Sequence, residues 1–180
     1  MKKIALFISM IVLLTTACNS PSGKNEAGKK ELSKSELTAN INKSESELFN
    51  DKVTRIDKKK ALQLAGQYKE FVNRFPDDTL SAEYLFKASD IYMNMGLPQQ
   101  TVALFNKLIE KYPHYSKIAT CYFLRAFVYD DQLHDYKTAE KYYKEFIKKY
   151  PDSEFTDDAK MLLKNLGKSP EELIKEFGGE

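Results

Sequence analysis

The stretch KEFIKKYPDSEF at residues 144–155 has two relatives earlier in the chain, KEFVNRFPDDTL at 69–80 and NKLIEKYPHYSK at 106–117. Each runs through apolar and charged residues to an aromatic residue and then a proline. The prolines are 37 and 38 residues apart, at Pro76, Pro113 and Pro151. A motif that recurs at a period of about 20 to 50 residues is typical of repeat proteins, so we expect stacked copies of one structural unit.

Helical periodicity surrounds each proline. Between residues 57 and 75, apolar residues recur at steps of three and four, which predicts a helix that Pro76 ends. Each proline is followed by a polar turn whose Asp and Ser side chains can accept hydrogen bonds from the first amides of a new helix. Gly96 and Gly167 stand where helix ends favour a left-handed residue. Further helices are therefore predicted near residues 80–95, 98–111, 116–132, 135–149 and 154–166.

The stretch SPEELIKEF, residues 169–177, carries the clearest helix-start signal. Ser169 can cap, Pro170 suits the first helical position, and Glu172 completes a capping box. We predict a short final helix that ends at Gly178. Its apolar side would cover the end of the stack, as terminal units of repeat proteins do, through Leu173, Ile174 and Phe177.

The N-terminal residues have the composition of an export signal, with two lysines before an apolar run over residues 4–14. At about 1.5 Å per residue these eleven residues cover only about half of a bilayer core of roughly 30 Å, so a permanent transmembrane helix is the poorer interpretation. The motif LTTAC resembles the lipobox of bacterial lipoproteins, which implies removal of residues 1–17 and acylation of Cys18. The alternative is ordinary signal cleavage after Ala17.

Three segments follow the predicted signal peptide. Residues 18–30 are rich in Ser, Gly, Lys and Asn and lack apolar periodicity, so they are predicted to be a disordered tether after the lipidated cysteine. Residues 31–55 place apolar residues sparsely at loosely helical spacing, which predicts a weakly helical extension. Residues 56–180 are predicted to form the helical repeat domain.

The predicted helix pairs resemble tetratricopeptide repeats. In the first full repeat, the family's positions fall on Leu85, Ala88, Ser89, Tyr92, Gly96, Phe105, Leu108 and Pro113. In the second, with one extra residue near DDQLHD, they fall on Tyr122, Arg125, Ala126, Tyr129, Ala139, Tyr143, Phe146 and Pro151. Thr101 and Arg125 depart from the small and apolar residues usual at their places. The resemblance implies an all-α fold, a short right-handed solenoid of antiparallel helix pairs with two full repeats, half-repeats on either side and a C-terminal capping helix.

Composition limits the function. The chain has 28 basic and 26 acidic residues, and the signal contains two of the lysines, so the charge of the remainder is near zero. A balanced charge argues against a nucleic-acid binder. With Cys18 acylated, Cys121 has no disulfide partner, and its apolar neighbours in sequence predict a buried thiol.

No constellation typical of an enzyme is present in the sequence. GxSxG, HExxH and phosphate-loop motifs are all missing. Asp130, Asp131, His134 and Asp135 lie close together in sequence, but a polar turn with capping aspartates explains them better than a metal site. We therefore predict a protein without catalytic residues, metal or cofactor.

The concave face of a helical solenoid offers a binding surface instead. The repeat register predicts a groove lined by Glu83, Phe86, Asp90, Met93 and Asn94 in the first repeat, and by Phe123, Phe127, Asp130 and Asp131 in the second. Phe86 and Phe123 occupy matching places with acids around them. Such a lining would suit a partner segment with apolar side chains and some positive charge. The alternative is that both rings belong to the core.

The repeat endings FVNRFPDD, LIEKYPHY and FIKKYPDS resemble those of periplasmic repeat proteins of the barrel-assembly lipoprotein and Tol-Pal coordinator types, over residues 57–167. The resemblance implies an exported, lipid-anchored protein of the outer membrane that faces the periplasm and acts as an adaptor or scaffold for other envelope proteins. Two alternatives are a structural subunit of an outer-membrane assembly machine and a coordinator of cell division. A third, an enzyme or carrier for envelope glycan or lipid, has no supporting residues.

Overall fold

A computed structural model describes residues 32–49 and 56–177. Within these ranges the chain is helical and has no strand, which confirms the predicted all-α fold. The elements are α1 Lys34–Leu48, α2 Lys58–Arg74, α3 Ser81–Asn94, α4 Pro98–Lys111, α5 Ile118–Phe127, a π-helical turn Val128–Gln132, α6 Tyr136–Lys149, α7 Thr156–Asn165 and α8 Pro170–Phe177. None of these helices is both long and apolar enough to cross a membrane. The predicted signal peptide, the acylated Cys18 and the tether lie outside the described residues.

Successive helices pack against each other along the chain, from α1 on α2 through to α6 on α7. They form three pairs, α1–α2, α3–α4 and α5–α6, followed by α7. The second helix of each pair buries the same two repeat positions almost completely: Tyr68, Phe105 and Tyr143 at one, and Phe71, Leu108 and Phe146 at the other. Burial of a side chain of this size stabilises the fold by about 1.5–3 kcal/mol. One pair cannot cover its own apolar side, so each pair packs on the next.

The proline turns end one helix and begin the next. The amides of Phe75, Tyr112 and Tyr150 donate to carbonyls four residues earlier, and the proline that follows has no amide with which to continue the helix. The Ser81 hydroxyl then donates to the Phe75 carbonyl at 2.5 Å, and the Thr156 hydroxyl donates to the Tyr150 carbonyl at 2.8 Å. The Asp and Ser side chains of two turns accept hydrogen bonds one residue before the helix: Asp78 from the Leu80 amide at 2.9 Å and Ser153 from the Phe155 amide at 3.5 Å. The N-cap residues of α3, α5 and α7 themselves supply no side-chain cap, which differs from the prediction.

Helix α1 is a full member of the stack. Its buried residues Leu37, Ile41 and Leu48 lie in the same core cluster as side chains of α2, α3 and α4. Ser33 and Glu36 form a capping box at its start. The described residues thus contain three helix pairs, where the sequence predicted two full repeats with a half-repeat before them. The sequence predicted only a weak helix here because α1 packs through three buried side chains and the rest of its surface is polar.

The π-helical turn Val128–Gln132 explains the longer second interval between prolines. A π-helical turn hydrogen-bonds residue i to residue i+5, so it takes up one inserted residue without ending the helix. Here the Leu133 amide donates to the Val128 carbonyl at 3.0 Å. The single α-helix predicted over 116–132 is therefore a shorter α5 with the extra residue placed in this turn.

The final helix α8 begins with the predicted capping box, since the Glu172 amide donates to Ser169 Oγ and the Ser169 amide donates to the Glu172 carboxylate. Leu173 is half-buried, but Ile174 is 70% exposed. Neighbouring residues of a helix point about 100° apart, so one of the two faces away when the other faces the protein. The expectation that Ile174 covers the end of the stack is wrong.

Candidate functional site: a cleft between the first two repeats

An open cleft of about 630 Å³ lies between α1 and α3, with the start of α5 beside it. Its lining comes mainly from first helices of two repeats, as expected for a helical solenoid. The lining residues are Asn42, Glu45, Ser46, Phe49, Tyr68, Glu83, Phe86, Lys87, Asp90, Ile91 and Lys117. Three residues of the predicted groove, Glu83, Phe86 and Asp90, are therefore brought together here.

One repeat position carries phenylalanine three times. Phe49, Phe86 and Phe123 follow each other at intervals of 37 residues. Their exposure falls along the stack, from 56% for Phe49 through a half-buried Phe86 to 8% for Phe123. The first two rings line the cleft, so they form its apolar part.

The buried side chains form a first core cluster, mainly in α1 to α4, and a second one, mainly in α5 to α7. Phe123 lies in the second core cluster, which corrects the expectation that it lines an exposed groove. Phe155, just before α7, stacks on it with ring centroids 4.9 Å apart and planes 9° from parallel. At the same place before α5 stands Lys117, whose ammonium lies 5.0 Å from the centroid of the Phe86 ring. A flat ring covers its neighbour more completely than a lysine chain does, so Phe123 is buried while Phe86 stays partly exposed.

Glu45 ties α1 to the neighbouring helices across the cleft. One of its carboxylate oxygens accepts hydrogen bonds from the Tyr68 hydroxyl at 2.5 Å and from the Lys87 ammonium at 2.7 Å. Burial, reinforced by the hydrogen bond to Glu45, raises the pKa of Tyr68 well above its usual range. Tyr68 therefore stays protonated and keeps donating.

Glu83 holds the opposite side of the cleft. It accepts hydrogen bonds from the Tyr115 hydroxyl at 2.6 Å and from the Lys117 ammonium at 3.2 Å. Burial alone would raise the pKa of Glu83, but these hydrogen bonds outweigh it and hold that pKa below its usual range. The carboxylate is therefore more easily ionised in the folded protein than in the unfolded chain.

The balance of charge in the cleft is negative. Lys87 pairs with Glu45 and Lys117 pairs with Glu83, whereas Asp90 forms no ion pair within the described part of the chain. The cleft thus presents two phenyl rings beside one uncompensated carboxylate.

We expect Glu83→Gln to lower the free energy of unfolding by about 1 kcal/mol at neutral pH, because a neutral amide attracts Lys117 less. The difference from the wild type should shrink as the pH falls below about 4.3, the usual pKa of an unfolded glutamate, because Glu83 of the wild type then also becomes protonated. Urea unfolding of the wild type and of Glu83→Gln, from neutral pH to below about 4.3, measures this difference in the free energy of unfolding. A difference independent of pH would contradict the role given to the Glu83 charge.

The remaining residues of the predicted groove lie elsewhere. Met93 is half-buried against the first core cluster, and the exposed Asn94 donates to Asp90. Phe127 is half-buried next to Phe123, with centroids 6.5 Å apart. The two aspartates of the π-helical turn, Asp130 and Asp131, do not line the cleft, so the cleft contains only the part of the predicted groove formed by Glu83, Phe86 and Asp90.

The sequence reasoning missed the contribution of α1 to the cleft, which consists of Asn42, Glu45, Ser46 and Phe49. A signal was available for Phe49, which precedes Phe86 by one repeat interval. Phe49 was not assigned to a repeat because no proline motif precedes or follows α1 to mark it as a first helix.

The acidic turn after α5 has structural roles. Asp130 accepts a hydrogen bond from the buried Tyr143 hydroxyl at 3.2 Å, and Asp135 caps α6 by accepting from the Thr138 amide at 3.1 Å. Within the described ranges, no group of three or more His, Cys, Asp or Glu side chains is placed to hold a metal ion. Cys121 is fully buried, and burial raises the pKa of its thiol to about 12, which confirms the predicted interior position.

Stacked antiparallel helix pairs with an open cleft between two first helices define an all-α repeat protein of the tetratricopeptide type. The YfiO family model, described as an outer membrane lipoprotein, matches residues 41–169, more than two thirds of the chain. The chain belongs to this family of outer membrane lipoproteins. The match begins within α1 and ends just before α8, so it includes the second half of α1 and all of α2 to α7.

Family membership confirms the resemblance predicted from the repeat endings and the predicted location at the outer membrane. The signal peptide and the acylation of Cys18 stay predictions. No curated protein matches the chain.

Proposed function

We propose that the chain is a non-catalytic adaptor at the outer membrane that holds a segment of another envelope protein in the cleft between α1 and α3. The observation that carries the proposal is the pair of phenyl rings, Phe49 and Phe86, that line one open cleft from adjacent repeats. Exposed aromatic residues in a concave site are typical anchors of protein interfaces.

The cleft favours a particular kind of segment. An apolar side chain would contact the two rings, and a lysine or arginine of the segment would pair with Asp90. The other two carboxylates are already paired with lysines, so they add no net negative charge and Asp90 determines the charge preference. We therefore expect a segment that combines an aromatic or large aliphatic residue with one positive charge.

Photocrosslinking in living cells tests the site. A photoreactive amino acid at Ser46, an exposed position of the lining, is expected to capture envelope proteins. The double variant Phe49→Ala with Phe86→Ala is expected to lower the crosslinked yield by at least about tenfold, because it removes two anchor residues. The matched control is Leu62→Ala with Met161→Ala, two exposed apolar residues outside the cleft. Equal yields in the two double variants would contradict the proposal.

Synthetic peptides test the chemistry. A fluorescent peptide with phenylalanine and lysine is expected to bind the purified chain more tightly than the same peptide with glutamate in place of lysine. Asp90→Asn is expected to remove most of this preference, because it removes the unpaired charge. A preference that survives Asp90→Asn would show that another group selects the charge.

A structural subunit of an outer-membrane assembly machine of the barrel-assembly type is the second candidate, and the family match supports it. The exposed Ile174 on α8 and Met161 on α7 offer apolar surface that a permanent neighbour would cover. Purification in mild detergent distinguishes the candidates. A subunit should copurify with the other subunits of its machine at constant stoichiometry, whereas an adaptor should dissociate from its partner as the salt concentration rises.

A further inference from the structure

A separation of charge divides the helices of the repeat body. The second helices of the three pairs, α2, α4 and α6, carry twelve Lys and Arg residues against four Glu. The first helices α1, α3, α5 with its π-helical turn, and α7 carry six basic residues against nine acidic ones. The near-zero total charge therefore conceals a basic side and an acidic side.

Four of the five lysines of α6 form an outward stripe. They recur at steps of four, three and four residues and are all exposed: Lys137, Lys141, Lys144 and Lys148. Each stands two positions from one of the buried residues Ala139, Tyr143 and Phe146 of the same helix. Two positions correspond to about 200° around an α-helix, so the stripe faces away from the core.

The outer surfaces of the three helices lie side by side. The Lys107 ammonium on α4 donates to Asn73 on α2 at 3.0 Å. Arg125 reaches from α5 to both Asn106 on α4, at 3.1 Å, and Glu145 on α6, at 2.9 Å. These contacts place the second helices α2, α4 and α6 next to one another, and we call the surface that carries their outward-facing lysines the basic face.

Few carboxylates compensate the basic face. Across the described residues, its ion pairs are Arg74 with Glu70 and Lys144 with Glu140, each within one helix. Burial lowers the pKa of Lys107, and repulsion by the nearby Lys111 and Lys69 lowers it further. The face thus keeps a positive potential.

We propose that the basic face rests on the anionic phospholipid surface of the membrane to which this lipoprotein is attached. Eleven of the twelve cations of these three helices are lysines. A protein interface is typically centred on Tyr, Trp or Arg anchors, whereas dispersed lysines suit a fluid layer of phosphate groups. The cleft lies between first helices, so a body held by α2, α4 and α6 keeps the cleft open to a partner. The membrane contact does not depend on the cleft having a ligand.

Vesicle flotation tests the proposal. The whole chain is exported with Cys18→Ser, so that no acyl group attaches it, and is mixed with vesicles of phosphatidylethanolamine and phosphatidylglycerol or of phosphatidylcholine alone. We expect binding to the anionic vesicles that falls steeply with salt, and little binding to the neutral ones. Replacing the stripe, Lys137, Lys141, Lys144 and Lys148, with glutamine should lower the anionic partition coefficient by about tenfold or more, since each lysine near the surface contributes up to about fivefold.

The matched control removes the same charge elsewhere, with glutamine at the exposed lysines Lys43, Lys160, Lys164 and Lys175 of α1, α7 and α8. It should lower the partition coefficient by no more than about threefold, because these lysines lie outside the basic face. All substituted side chains are exposed, and circular dichroism verifies that both variants keep their helices. Equal losses in the two variants, or equal binding to both kinds of vesicle, would overturn the proposal.

Discussion

Phe123→Ala is expected to lower the free energy of unfolding by about 3 kcal/mol, whereas Phe86→Ala should lower it by only about 1 kcal/mol. Both residues occupy the same repeat position, but Phe123 contacts Phe127, Tyr143, Phe146 and Phe155 in the core, and its removal leaves a cavity. Phe86 is half-buried and loses part of its contact with Phe105, Tyr115 and Lys117. Urea unfolding followed by circular dichroism measures both values.

Phe123→Leu serves as the control, because it keeps most of the apolar volume and should cost about 1 kcal/mol. A similar cost for Phe86→Ala and Phe123→Ala would mean that the two rings are equally buried. It would contradict the distinction drawn from Phe155, which covers Phe123, and Lys117, which leaves Phe86 partly open.

Most of the fold follows from local signals in the sequence. The predicted helix over 98–111 coincides with α4, because Gly96 and Pro98 define its start and Pro113 limits its end. The number of helix pairs did not follow, because α1 has few apolar residues and its packing depends on side chains of α2 and α3 that are distant in sequence.

The candidate site was harder to predict than the fold. The repeat register placed Phe86 and Phe123 at equivalent positions, and each is the sixth residue of a first helix, α3 or α5. Their exposure depends on the residue before the next first helix, Lys117 in one repeat and Phe155 in the other, and this contact joins positions about 30 residues apart. Periodicity identifies which face a residue occupies, but it does not identify the neighbour that covers that face.

Arg125 illustrates a departure from the repeat pattern that the structure explains. It is 6% exposed, and its guanidinium lies 3.8 Å from the centroid of the Tyr142 ring and 5.1 Å from that of Tyr122. It donates hydrogen bonds to Asn106 and Glu145, so one side chain of α5 contacts both α4 and α6. The planar, delocalised cation stacks on the rings while its edge donates, which no apolar residue at this place could do.

We expect Arg125→Ala to lower the free energy of unfolding by about 3 kcal/mol, because it empties the space between two rings and removes the link between α4 and α6. Arg125→Lys should cost about 2 kcal/mol, since an ammonium neither stacks on Tyr142 nor reaches both acceptors. Arg125→Met should cost less than either, because it refills the space and Glu145, whose side chain is 41% exposed, regains water. Urea unfolding of the three variants gives the order. If Arg125→Met is as unstable as Arg125→Ala, the ion pair stabilises the contact between α4, α5 and α6 more than the packing does. If Arg125→Ala is as stable as the wild type, Arg125 does not hold these helices together.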